Sequence, residues 1–293
     1  MNGSALEVSV VIASRNRREL LADTVTSVGA GSVLPSEIIV MDQSDDHSPA
    51  PAWHVPPPVR VRHVRIPARG VSAGRNAGAR VAQSPLLAFL DDDMSADPQW
   101  LASLTRVLVS EGPAVAVTGR VTAGEPERTG AFVPATADRL RPITYAGRLP
   151  IDVLAGGNMG IYRNTFLRSG GFDERLGPGT TFPAAEDNDL GFRLLGAGFR
   201  IVFVPEAVLV HRAWRQPEDY MALRFAYGLG KGGFYIKHTH LTDLYMARRL
   251  ARDLARRGVR TVRSARHPRQ ALGEMAYAAG VVTGACEWLV RRA

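Results

Sequence analysis

The chain has 293 residues, 45% of them hydrophobic and 22% charged, enough for one large buried core or for a domain with an appendage. Its single cysteine, Cys286, excludes an internal disulfide and so a secreted disulfide scaffold. The net charge is +8, no run of about 18 uncharged apolar residues could span a membrane, and the N-terminal stretch has no basic segment followed by a long apolar run, so the expectation is a cytoplasmic protein without a signal peptide.

In chain order, "VSVVIAS" (Val8 to Ser14) is a continuous β-branched run, the pattern of a strand buried on both faces. "RRELLADTVTSVGAG" has apolar residues at helical spacing and stops at glycine. "EIIVMD" is a second buried strand, ending in Asp42, and "VRVRHVRI" (Val59 to Ile66) alternates as a more exposed one. "GVSAGRNAGARVAQ" predicts a helix with glycines near its start, and "PLLAFL" a buried strand running into Asp91, Asp92 and Asp93. "DPQWLASLTRVLV" predicts a helix with Asp97 as N-cap and Pro98 in the first position, and "AVAVTGRV" a further strand. Later, Glu186-Asp187 open a helical pattern, and a buried strand from Val202 to Val210, broken at Pro205, leads to His211. Strands alternating with helices build a mostly parallel α/β sheet flanked by helices.

Such sheets bind ligands in the crevice beyond the carboxyl ends of their strands. Ser14 to Asn16, Asp42 and Asp91 to Asp93 all fall at strand C-termini, so they are expected to converge. Helix capping is the plain alternative for the acid triplet, but a cap contributes only about 1 kcal/mol and does not need three carboxylates. Two further acids and a histidine add to the set. Paired oxygen ligands with one imidazole suit a divalent cation such as Mg²⁺ or Mn²⁺.

The stretches "VSVVIASRNR", "EIIVMDQSDD", "GVSAGRNAGA", "LLAFLDDDMSADPQWL", "GGNMGIYRNTFLRSGGFDERL" and "EDNDLGFRLLGAGFRIVFVPEAVLVHR" together resemble an inverting, nucleotide-sugar-dependent glycosyltransferase of family 2 with the Rossmann-like GT-A fold. The resemblance covers roughly residues 7–212 and implies roles for particular residues. The acid triplet takes the place of the D-x-D motif. Asp91 and Asp93 with His211 would hold Mn²⁺ or Mg²⁺ against the diphosphate, Asp91 directly or through water and ribose, while Asp92 faces the sugar or ribose. Ala13, Ser14, Arg15, Asp42 and Arg75 would line the nucleotide, Asp42 at the base. Asn158 in "GGNMG" would touch donor or acceptor, and Asp187 would be the catalytic base. The resemblance also points to polysaccharide biosynthesis at the cell envelope. No "QxxRW" and no repeated spanning helices are present, so a single transfer per encounter is expected rather than processive synthesis. "MDQSDD" places Gln43 where D-D-G-S is frequent, which leaves the preferred base open.

The domain expectation is a GT-A unit over residues 1–214 and a helical, arginine-rich extension over 215–293. In that extension, glycines 228, 230, 232 and 233 with Lys231, Tyr235, Lys237 and His238 read as a mobile cover over the acceptor or as a turn between helices. Arg248 to Arg269 contain nine arginines against one acid, Asp253. With Leu241, Leu244, Ala251 and Leu254 at near-helical spacing, the segment reads as helices that place an arginine face on an anionic membrane at its inner surface. The run lacks interleaved aromatics for stacking bases, so no nucleic-acid partner is expected. Two other functions compete with sugar transfer. A sugar nucleotidyltransferase would need a glycine-rich phosphate loop after the first strand, where "ASRNRRE" stands. A non-catalytic basic scaffold binding nucleic acid would not need the acid set.

Overall fold

The computed structural model describes residues 7–46 and 50–292; residues 1–6, part of the stretch read above for a leader, lie outside them. Nine strands form one sheet: β1 (Val8–Ser14), β2 (Glu37–Asp42), β3 (Arg60–Arg65), β4 (Leu86–Leu90), β5 (Met94–Ala96), β6 (Val115–Pro126), β7 (Ile143–Tyr145), β8 (Asn158–Tyr162) and β9 (Arg200–Ala213). The order is β3-β2-β1-β4-β8-β6-β9-β5, with β7 also paired to β9. The β3-β2-β1-β4 half is parallel throughout, as the buried β-branched runs predict. β8 runs antiparallel between β4 and β6, and the parallel β6–β9 pair continues beyond it. β8 has no strand pattern legible in the sequence because Gly160 interrupts it and Gly156-Gly157 directly precede it. The expected break at Pro205 is a bulge: the β6–β9 register shifts there, from Gly119 opposite Val204 to Arg120 opposite Val208.

Helices cover both faces. Val8, Val10 and Ile12 of β1 point to one core with α1 (Arg18–Gly29) and α3 (Trp100–Glu111), while Val11 points to the other with α2 (Val71–Val81), α4 (Arg163–Arg168) and α5 (Glu186–Gly196). α3 begins at Trp100, so Asp97 is not its N-cap; the Asp97 carboxylate closes a turn by accepting the Gln99 N–H at 2.8 Å.

Three helices complete the chain: α6 (Asp219–Lys237), α7 (Tyr245–Arg263) and α8 (Pro268–Arg292). α6 runs unbroken through its glycines, which are neither a cover loop nor a turn. They are packing sites. A Cβ on Gly228 or Gly232 would strike the α8 backbone at Tyr277 and Val281, and one on Gly280 or Gly284 would strike the α6 backbone at Phe225 and Leu229. Small residues four apart on both helices let the two backbones touch. Leu241 and Leu244 precede α7 and are exposed, so the buried side of α7 carries Met246 and Arg249, with Leu250 and Leu254 packed beside them.

Gly284→Leu should lower the melting temperature by several degrees, because overpacking against rigid backbone costs about 1–3 kcal/mol. Gly258→Leu on α7, where a Cβ meets nothing within 4 Å, should not lower it. Thermal unfolding of the two variants compares them directly.

Candidate active site

The C-terminal ends of β1 and β4, the start of β8 and the N-terminus of α5 enclose a cavity of about 1130 Å³. Its wall includes Ala13, Arg15, Arg75, Asp91, Asp92, Asp93, Asp187 and His211, so most of the residues expected from the sequence meet in one place. Glycine makes the meeting possible. A Cβ on Gly157 would collide with the Asp91 carboxylate, and one on Gly156 would lie 3.0 Å from Arg75 Nη1 and 3.1 Å from Asp187 Cβ. The Gly156-Gly157 pair is thus a thin partition that brings the acid triplet and the start of α5 together.

Crowded carboxylates need cations among them. Arg17 Nη1 donates to Asp92 Oδ1 at 2.8 Å and to Asp93 Oδ2 at 3.3 Å, and its guanidinium stacks over Trp214. Arg75, 2% exposed, joins Asp91 to Glu186 and lies over the Phe172 ring, so it is a buried strut rather than a surface ion pair. Ser14 Oγ donates to Asp92 Oδ2 at 2.7 Å. Trp214 Nε1 donates to Asp93 Oδ2 at 3.0 Å, and His211 Nε2 stands 3.5 Å from Asp93 Oδ1.

Burial pushes the Asp92 carboxyl up to about 6, with Arg17 opposing and Asp93 adding to the rise. Burial would raise Asp93 too, but the hydrogen bond and charge of His211, with Arg17 and Trp214, outweigh it and hold the carboxyl at about 2. Glu186 is pushed up to about 7 by burial and by Asp187. Asp187 is itself raised, by burial and then by Asp152.

Three expected residues lie elsewhere. Asn158 is wholly buried in the core: its Oδ1 accepts from Trp100 Nε1 at 2.9 Å, and its Nδ2 donates to the Arg120 and Ala207 carbonyls, both at 3.0 Å. Its amide is fully used pinning β8 to α3, β6 and β9, so it touches neither donor nor acceptor. Ser14 and Asp42 line a smaller cleft of about 350 Å³ that shares Asn16 and Arg17 with the main cavity. Asp42 Oδ1 accepts the Ser44 N–H at 2.8 Å and Oδ2 faces His63 Nε2 at 2.9 Å. Arg17, Trp214, Arg215, Tyr227, Asp152 and Asn188 also lie on the cavity wall or bond residues there and have no signal in the sequence that singles them out, while Lys231, expected in a cover over the acceptor, lines the wall from within a helix.

Only two non-glycine residues, among those described, have positive φ: Asn16 at 55° and Ala185 at 72°. Both line the cavity. Ala185 directly precedes Glu186-Asp187, and its left-handed backbone aims the first turn of α5 at the partition. Gly230 of α6 presses on the Ala184 backbone, so the C-terminal helices brace this strained turn.

Among the described residues, no three His, Cys, Asp or Glu side chains are grouped as a metal site, and no helix is long and apolar enough to cross a membrane. Asp93 and His211, 3.5 Å apart on the cavity wall, offer a hard oxygen and one imidazole, donor types that suit a divalent cation, whereas Asp91 pairs with Arg75.

The fold is that of α/β glycosyltransferases of known structure, and the model of the family described as "Glycosyl transferase family 2" matches residues 9–167. The chain belongs to that family and is a glycosyltransferase. It is 26% identical over 233 residues to a glucosyl-dolichyl phosphate glucuronosyltransferase of Haloferax volcanii, covering 75% of this chain and 74% of that one. It is 28% identical over 256 residues to a pre-mycofactocin glycosyltransferase of Mycobacterium tuberculosis, covering 80% of this chain but only 49% of that longer protein. In fold it is similar to a mannosyltransferase from Pyrobaculum calidifontis solved with GDP-Man and Mn²⁺, at a TM-score of 0.61 and 17% identity, over 95% of this chain and 86% of that one. Membership sets aside the nucleotidyltransferase and scaffold alternatives.

Because the folded state raises the Glu186 carboxyl above the ordinary 4.5 to about 7, the folded chain binds more protons than the unfolded one between those values. Stability contributed at low pH is therefore lost as pH rises through this window. Glu186→Gln should remove that loss, so its melting temperature should gain on the wild type from pH 5 to pH 8. Parallel melting curves in the two backgrounds check it.

Proposed function

We propose that the protein transfers a sugar from a nucleoside-diphosphate sugar to a hydroxyl of a glycan or lipid-linked acceptor, with inversion, once per encounter, and with Mn²⁺ or Mg²⁺. The observation that carries this reading is the placement of Asp187 and the acid triplet on either side of the Gly156-Gly157 partition. In a single in-line displacement the acceptor oxygen bonds to the anomeric carbon. Its proton passes to Asp187, and the bond from that carbon to the diphosphate oxygen breaks, its electron pair leaving with the diphosphate. Burial and Asp152 make the Asp187 carboxylate a stronger base than a solvated aspartate, which suits it to a weakly acidic hydroxyl.

Asp91, Asp93 and His211 would hold the cation, which when bound neutralises charge on the departing diphosphate. Ala13, Arg15 and Arg75 line the nucleotide side of the cavity, and Ser14 orients Asp92. The cleft holding Asp42 is the proposed base pocket.

The outward face of α7 supports contact with an anionic membrane. Arg248, Arg252, Arg256, Arg260 and Arg263 are exposed, and their side chains carry no ion pair among the described residues. Arg249 and Arg257 are not part of that face: they turn inward to Asp152 and to Asp253 and Glu274. The Haloferax volcanii relative is named for a dolichyl-phosphate-linked sugar, a lipid-bound acceptor. Residence at the inner membrane face would concentrate such an acceptor for cell-envelope glycan synthesis, each arginine near the surface contributing about 1 kcal/mol.

Asp187→Asn should lower turnover by roughly 10²–10⁴-fold while nucleotide binding persists. Asp93→Ala should abolish both turnover and the metal-dependent part of nucleoside-diphosphate binding, and His211→Ala should weaken them. Turnover assays and thermal shift with nucleoside diphosphates and Mn²⁺ read all three; near-normal turnover of Asp187→Asn would assign the base elsewhere.

For the arginine face, sedimentation should pellet the protein with anionic vesicles and not with neutral ones, and salt should release it. Equal pelleting with both would sink the membrane reading.

A further inference from the structure

A chain of charged and amide groups runs from the C-terminal helices to Asp187. Asp187 Oδ1 accepts two N–H groups of its neighbour, the Asn188 backbone N–H at 2.7 Å and Asn188 Nδ2 at 3.0 Å. The Asn188 amide is not free to turn, because its Oδ1 accepts from Lys231 Nζ at 2.8 Å. An ammonium can only donate, so the Asn188 oxygen must face it and the NH₂ must face Asp187. Lys231 Nζ is held in turn by Asp152 Oδ2, and Asp152 Oδ1 accepts from Arg249 Nη2 at 2.6 Å. Lys231 and Arg249 are both 6% exposed and lie over the Phe234 ring. Asp187 Oδ2 carries no hydrogen bond among the described residues.

We propose that Arg249, Asp152 and Lys231 form a positioning relay which, through Asn188, ties down Oδ1 of Asp187 and leaves Oδ2 as the oxygen that takes the acceptor's proton. The inference rests on Asp187 being the base. It makes the C-terminal helices part of the active site, since Lys231 comes from α6 and Arg249 from α7.

The choice of residue supports it. Of the 36 lysines and arginines in the chain only two are lysines, Lys231 and Lys237. Both are on α6 and both grip the first turn of α5, Lys231 at Asn188 and Lys237 at Asp189, where Nζ and Oδ1 are 2.5 Å apart. A compact ammonium can serve an amide oxygen and a carboxylate at once, where a planar guanidinium would need more room.

The charges around Asp187 give the relay a signature. Asp187 faces Glu186 on its own helix, Arg75 of α2, Asp152 from the loop before β8, and Lys231 and Tyr227 of α6, with Arg249 of α7 behind Asp152. Burial and Asp152 push its carboxyl up, while Arg75 and Lys231 pull it down. Removing the two partners should therefore move the base in opposite directions.

The test is the pH dependence of turnover, read as nucleoside diphosphate released from a sugar nucleotide that stabilises the protein. In Lys231→Met the acid limb should move to higher pH, and in Asp152→Asn to lower pH. Nucleoside-diphosphate affinity with Mn²⁺ should stay within about twofold of the wild type in both. Unmoved limbs, or shifts in the same direction, overturn the relay. Asn188→Ala removes the link without unpairing a buried charge. It should cut turnover about 10-fold or more at unchanged nucleotide affinity, as a misplaced reacting group does; unchanged turnover overturns the relay as well. Asp187→Asn, run alongside, separates the two levels. If it stays active, the base assignment fails. If it is inactive while the limbs of the other two do not move, the relay alone fails.

Discussion

Mutual repulsion of crowded carboxylates is the constraint that organises this molecule. Asp91, Asp92, Asp93, Asp152, Glu186 and Asp187 share one cavity wall. At an effective dielectric of about 20, two unit charges 4 Å apart repel by about 4 kcal/mol, so such a cluster cannot stand ionised and unaided. Three cations are threaded through it, each from a different part of the chain: Arg17 after β1, Arg75 on α2 and Lys231 on α6. Each lies far in sequence from an acid it touches, so each also fixes one element against another. Burial, together with what repulsion remains, pushes Asp92 and Glu186 toward the neutral form.

The same constraint explains what could be seen in the sequence. Strands β1, β2 and β4 are continuous apolar runs with polar residues at their carboxyl ends, and that pattern locates the crevice without any knowledge of packing. The acid triplet was singled out by its place at a strand end and Asp187 and His211 by the family resemblance, and the structure brings all of them to one cavity wall. Their counter-ions were legible only in part. The resemblance picked out Arg75, as a nucleotide contact and not as a strut between acids, while Arg17 sits among many arginines, and nothing in local pattern separates a buried strut from a surface charge. Asn158 misled for the opposite reason: beside glycines at a site it reads as a ligand contact, yet three hydrogen bonds commit it to the core. β8 was hidden because glycine, which it needs at Gly160 for the close approach of α3, argues against a strand.

The glycines of α6 show how one composition supports two structures. A cluster of four glycines weakens an isolated helix by about 1 kcal/mol each, and on propensity alone the segment reads as a loop. Here the loss is offset by tertiary packing, since glycines on α6 and α8 face one another and the two helices lie backbone to backbone. The two remaining glycines serve the site: Gly230 presses on Ala184, and Gly233 admits Phe182 and Trp288. The extension is therefore packed against the segment that leads to Asp187, and on the proposed relay it contributes side chains to the site.

Charge balance also bears on the metal. Arg17 holds Asp92 and Asp93 together with a single positive charge. A nucleoside-diphosphate sugar brings two negative charges to the same wall, and against an acid triplet these would be repelled. Arg215, stacked on Trp214, and Arg139 also line the cavity without an ion pair among the described residues. A divalent cation shared between the diphosphate and Asp91, Asp93 and His211 would turn that repulsion into attraction, because each carboxylate then faces the metal and not the phosphate. On the function proposed above, the acid triplet at the strand end would receive positive charge together with its ligand, and Arg17, which bridges Asp92 and Asp93, would hold those two carboxylates in place beforehand.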